Sequence, residues 1–114
     1  MEHEAEVERI ANTESLFREV NEHIAEGAQR FQSPDADFVC ECGDPACTER
    51  VEATLEEYEE VREDGTAFLL APGHEDSRIE ATVERQDDHA VVKKRHPVAA
   101  ALVRRLNPRA AGET

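Results

Sequence analysis

From Val7 onward, apolar residues recur at short, regular steps: Val7, Ile10, Phe17, Val20, Ile24, Ala28 and Phe31. That period gathers them on one stripe, with Glu and Arg on the other faces, and predicts one long helix over residues 4–31. Gly27 weakens its last turn and Ser33-Pro34 ends it. The series 7, 10, 14, 17, 21, 24, 28, 31 also alternates steps of three and four, as coiled-coil a and d positions do. Glu14 and Asn21 interrupt it. A helix packed on its own domain is the plainer expectation, and a helical dimer is the other.

Shorter patterns follow. Ser33 to Asp37 reads as a polar linker, and Phe38-Val39 leads into a cysteine-rich stretch. Glu49 to Thr54 suits a short strand, and Leu55 to Asp64 a helix with Thr54 as N-cap and Glu57 at the capping-box position. Its inward face is Leu55, Tyr58 and Val61 or Arg62. Ala67 to Ala71 is a buried-type strand. Ile79, Ala81 and Val83 alternate with Glu80, Thr82 and Glu84, as in a half-exposed strand, and His89 to Lys94 returns beside it after the turn Gln86-Asp87-Asp88. Pro97 opens a last helix in which Val98, Leu102 and Leu106 stack at spacing four, and Asn107-Pro108 closes it ahead of a frayed end. The expected fold class is α+β: a long N-terminal helix, a metal knuckle, and a small antiparallel sheet with one or two further short helices. Three parts result: the helix over residues 1–32, a zinc-knuckle α+β domain over 33–96, and a basic C-terminal helix with its tail over 97–114.

Composition limits what holds this together. With 114 residues, 39% hydrophobic and 4% aromatic, the chain has one modest core. No apolar run is long enough to span a bilayer, so the expected setting is soluble and cytoplasmic, with no membrane partner. The net charge of −14 is unevenly spread: residues 1–92 carry 7 Lys+Arg against 26 Asp+Glu. Residues 93–111 carry six basic residues and no acid. An acidic body repels phosphate, so nucleic acid is an unfavourable partner. The basic segment more simply offsets the acidic body.

The candidate chemistry lies in Cys40-Glu41-Cys42-Gly43-Asp44-Pro45-Ala46-Cys47, which holds all three cysteines in eight residues. Three close thiolates suit a soft tetrahedral ion, with Zn²⁺ as the default. Gly43 supplies a backbone that can take positive φ or come close to its neighbours, and Asp44-Pro45 turns the chain back to deliver Cys47. A closed structural site needs a fourth ligand. Of the five histidines, His74 is the expected one, because its turn Pro72-Gly73-His74-Glu75 follows the apolar run Phe68-Leu69-Leu70. Asp44, a water or a partner's side chain are the alternatives. A disulfide framework would prefer an even cysteine count, and inert buried cysteines would have apolar neighbours rather than Glu41 and Asp44.

These segments, with Glu49-Arg50-Val51-Glu52 and Glu57-Tyr58-Glu59 through Val61-Arg62, resemble a group of small uncharacterised actinobacterial proteins. The likeness runs from about Glu8 to Arg95. It implies a Cys₃His site and carries no activity with it. The leading functional expectation is a non-enzymatic zinc-stabilised domain acting by protein–protein contact, through a partner or a second copy bound at the N-terminal helix. A thiol sensor that releases zinc on oxidation is the second reading. A zinc hydrolase with an open metal position and Glu75 as base is the third, but H-E-x-x-H and the zinc-deaminase pattern are absent.

Overall fold

In the computed structural model the described residues are 2–111, with side chains described from 4 to 109. The tail end expected to fray, residues 112–114, lies outside them. The fold is α+β. Helix α1 (Glu2–Arg30) is followed by strands β1 (Asp35–Val39) and β2 (Arg50–Thr54), which pair antiparallel as a two-stranded ribbon. Helix α2 (Leu55–Arg62) leads to β3 (Ala67–Leu70), β4 (Glu80–Arg85) and β5 (Ala90–Lys94), an antiparallel sheet of order β3-β5-β4. Helices α3 (Pro97–Arg105) and α4 (Pro108–Ala111) close the chain. No helix among the described residues is long and apolar enough to cross a membrane.

Local chemistry places most of these boundaries where the pattern predicts them. α2 begins at a full capping box: Glu57 N–H donates to Thr54 Oγ1 at 3.0 Å, and Thr54 N–H donates to Glu57 Oε1 at 2.8 Å. Pro97 occupies the first turn of α3, and His96 caps it by accepting from Val98 N–H. α1 ends with Gln32 in the left-handed region and Ser33 N–H donating back to the Ala28 carbonyl at 2.8 Å, a six-to-one closure. One expectation fails here: residues 35–37, read as linker, belong to β1, because the ribbon partner β2 overrides their polar composition.

The apolar stripe faces the domain through Val7, Ile10, Ile24 and Ala28 but not through Val20 and Phe31, and polar side chains complete the buried face. Val7, Ala11, Ala25 and Ala28 are buried, but between them the helix buries Glu14, Ser15, Arg18 and Asn21. Phe31 is 81% exposed and Val20 41% exposed. The two polar interruptions of the heptad are thus positions where α1 is bolted to its own domain. Asn21 Nδ2 donates to the Val39 carbonyl, and its Oδ1 accepts from Val39 N–H. Glu14 accepts from Lys94 Nζ at 2.6 Å, and the same ammonium bonds Glu80 across the sheet. Arg18 donates to the carbonyls of Gly65 and Val103, both at 2.7 Å, and lies over the Phe68 ring.

The hairpin and α3 also depart from simple periodicity. A bulge between Thr82 and Glu84 breaks the alternation of β4 and leaves Val83 54% exposed, while Glu80, ahead of the bulge, is buried against Lys94. In α3 the buried residues are Ala99, Ala100 and Val103, while Leu106 is 40% exposed. Small side chains let α3 lie close against α1, so the larger Val98 and Leu102 sit at its flanks. The basic segment folds back on the acidic body: Arg109 forms a bidentate pair with Glu59 and also bonds Glu22, which Arg62 reaches as well.

Burial lifts the Glu14 carboxyl from its usual 4.5 to about 8, against the opposing pull of Lys94. The folded chain therefore holds a proton that the unfolded chain releases. The stability this proton confers is complete below pH 4.5, declines above it, and is lost above about pH 8. Denaturant unfolding from pH 5 to 9 should show that decline. Glu14→Gln, which cannot ionise, should flatten it, and parallel profiles for the two proteins would refute the assignment.

Candidate metal centre

The knuckle begins where β1 runs past its own ribbon. Cys40 N–H still donates to the Glu49 carbonyl, continuing the ladder, whereas Glu41 N–H donates to the Leu69 carbonyl of β3 at 2.9 Å. This short extended segment alternates its side chains, so Cys40 and Cys42 face one side and Glu41 the other. Cys40 and Cys42 are both buried. The chain then reverses: Asp44 Oδ1 accepts from Ala46 N–H at 2.9 Å, and the Asp44 carbonyl accepts from Cys47 N–H at 3.0 Å. That turn returns Cys47 to the other two sulfurs.

Gly43 is required by packing. A Cβ there would lie 2.5 Å from Ile10 Cγ2, so α1 sits flush against the knuckle. Positive φ, the other expectation for this glycine, is found instead at Gly73, with φ 86°. Ala71-Pro72-Gly73-His74 is a type II turn, with His74 N–H donating to the Ala71 carbonyl at 3.2 Å. It starts at the end of the fully buried β3, which fixes where the imidazole is aimed.

The ligand atoms of Cys40, Cys42, Cys47 and His74 all lie within 4.8 Å of one another. His74 Nδ1 is 3.6 Å from Cys40 Sγ and 3.6 Å from Cys47 Sγ. A single N–H cannot point at two sulfurs at once. Sulfur and nitrogen on one tetrahedral zinc, at bond lengths of about 2.3 and 2.0–2.1 Å, stand about 3.5–3.6 Å apart. The observed spacing therefore fits the edge of a coordination tetrahedron. Ala71 N–H donates to Cys40 Sγ at 3.2 Å, and the backbone amides of Asp44 and Glu49 pull the Cys42 and Cys47 thiols down. Amide donors favour thiolate over thiol.

Without a cation the three sulfurs conflict. The Cys40 thiol against Cys42 holds Cys42 down to about 5, helped by His74 and the Asp44 amide. The same contact, with burial, pushes Cys40 up, and desolvation pushes Cys47 up. A divalent ion at the centre would let all three ionise together.

The remaining histidines are elsewhere. His23 is exposed on α1 beside Glu26, His89 is buried against Asp88 Oδ1 at 2.9 Å, and His96 caps α3. The side chain of His3 lies outside the described residues. Asp44 uses its carboxylate within the turn, and Glu75 pairs with Arg85 at 3.4 Å. A cleft of about 530 Å³ lined by Cys42, Asp44, His74 and Glu75 opens beside the cluster.

No family model, curated protein or solved structure matches this chain. What the cluster can do therefore rests on its own geometry, which is that of a four-donor, sulfur-rich cation site.

Gly43→Ala should force Ile10 and the knuckle apart and cost about 1–3 kcal/mol, the usual range for overpacking. Thermal melts and metal content of the purified variant test this. An unchanged melt with full metal content would show that α1 and the knuckle are not tightly packed.

Proposed function

We propose that this chain is a small, non-enzymatic zinc-binding domain of the cytoplasm that works through protein–protein contacts. The observation that carries the metal assignment is the convergence of Cys40, Cys42, Cys47 and His74, with His74 Nδ1 3.6 Å from two of the sulfurs. On this reading Zn²⁺ is structural. Its bonds join the end of β1, the returning loop and the turn after β3, and so supplement a core with few aromatic residues. The likeness of both motifs to the actinobacterial group then reflects a shared ligand set.

Purified protein should contain one zinc per chain, and a strong chelator should lower its melting temperature. His74→Ala should weaken zinc by more than the about 10–100-fold that loss of an outer-shell partner costs. His23→Ala, altering an exposed histidine away from the site, should leave affinity unchanged. Metal-free protein with a melt indifferent to chelator would refute the structural-zinc reading.

The contact surface we propose is the outer side of α1, where Leu16 is 60% exposed and Phe31 81% exposed although the opposite face is anchored in the domain. Its occupant is a protein partner or a second copy, and nucleic acid is disfavoured by the charge of −14. Sedimentation over a range of concentrations should show self-association that Leu16→Glu weakens. A wild-type chain that stays monomeric at high concentration would rule out the second copy and leave the partner.

A further inference from the structure

Glu41 stands between two proposed metal ligands yet is fully buried, with its carboxylate turned to Asn21 and Leu69 rather than to the sulfurs. Its main chain and side chain grip the same residue: Glu41 N–H donates to the Leu69 carbonyl at 2.9 Å, and Leu69 N–H donates to Glu41 Oε1 at 2.9 Å. Its other oxygen, Oε2, accepts from Asn21 Nδ2 at 2.8 Å, and Asn21 also brackets Val39 by both backbone groups. Two residues farther along the chain from Leu69, Ala71 N–H donates to Cys40 Sγ. The open edge of β3 is therefore satisfied by side chains of the knuckle. A carboxylate and a sulfur take the places that carbonyls of a neighbouring strand would fill.

We infer that Glu41 is the positioning residue of the metal centre. It touches no ligand atom of the site. It acts by locking the Cys40–Cys42 segment to α1 through Asn21 and to β3 through Leu69, so that two sulfurs and the Ala71 amide are in place before the metal arrives. Cys47, by contrast, is half-buried and held by turn contacts within its own loop. The centre thus has a preformed half, set by Glu41, and a half that closes on the ion. Preorganisation of this kind adds affinity because less ordering remains to be done on binding.

This inference rests on the zinc reading, and the experiment separates the two. Zinc affinity is measured by chelator competition, and Co²⁺ is used as a spectroscopic probe of thiolate ligation, for the wild type, Glu41→Gln and Val103→Ala. The Glu41→Gln side chain keeps the volume and one acceptor but sets an amide donor against either the Asn21 donor or the Leu69 N–H. It should weaken metal binding by about 10–100-fold, as outer-shell losses do. Val103→Ala opens a buried position in α3, and should lower the melting temperature while leaving metal affinity unchanged. Should Glu41→Gln not fold, Glu41→Asp carries the test, because its carboxylate falls one methylene short of Leu69 and the same weakening is expected. Wild-type affinity in a folded Glu41 variant, or equal weakening by Val103→Ala, would overturn the positioning role. A wild type showing no sulfur-to-cobalt charge transfer would overturn the zinc reading itself, and this inference with it.

Discussion

Three sulfurs and an imidazole nitrogen meet in a volume that holds no room for independent thiolates. Like charges this close raise one another's proton affinity, and burial of Cys40 and Cys42 adds to the cost. The chain nevertheless directs the Ala71 N–H at Cys40 Sγ and brings His74 Nδ1 to 3.6 Å from two of the sulfurs. Much of the surrounding structure serves that convergence. Gly43 keeps α1 against the knuckle, Asp44 closes the loop that returns Cys47, and the Pro72-Gly73 turn sets the direction of His74.

The same economy of apolar material runs through the rest of the core. α1 is fixed as much by Glu14, Arg18 and Asn21 as by its valine and alanines. Each of the three reaches a different part of the domain: Glu14 the sheet through Lys94, Arg18 the carbonyls of Gly65 and Val103, and Asn21 the end of β1. Phe68 lies against both Arg18 and Lys94, so one aromatic ring serves two buried cations. Buried polar groups contribute little net energy over well-packed hydrophobic ones, but they tolerate few alternative arrangements. In this domain they specify the placement of α1, and α1 in turn holds Val39 and Glu41 at the entrance to the knuckle.

An inward-facing polar helix leaves the apolar residues of that helix partly outside. Val20 and Phe31 are exposed although both belong to the apolar stripe, and Leu16 is exposed beside them. Meanwhile the basic C-terminal segment, which balances the acidic body in composition, does so through contact: Arg109 joins α4 to Glu22 of α1 and Glu59 of α2. The C-terminal segment is thus tied by charge to α1 and α2, while the Cys₃His cluster gathers the end of β1, the returning loop and the turn after β3.

Sequence alone determined what is local. The long helix, the capping box at Thr54 and Glu57, the strands after it, Pro97 at the start of α3, and the three clustered cysteines are short-range signals set by period, cap chemistry and spacing, whereas it is the fold that brings His74 to those cysteines. Tertiary structure decided everything that depends on which face is turned where. Periodicity marks a stripe but cannot tell that Glu14 will meet Lys94, eighty residues away, or that Asn21 will meet Val39. It therefore added Val20 and Phe31 to the inward stripe, and those two lie outside. β1 escaped notice because a polar strand gains its stability from pairing with β2 rather than from its own residues. Glu41 was legible only as a neighbour of two cysteines. Its alternation placed it on the face opposite the ligands, but the partners waiting there, Asn21 and Leu69, come from a helix and a strand that only the folded chain brings together.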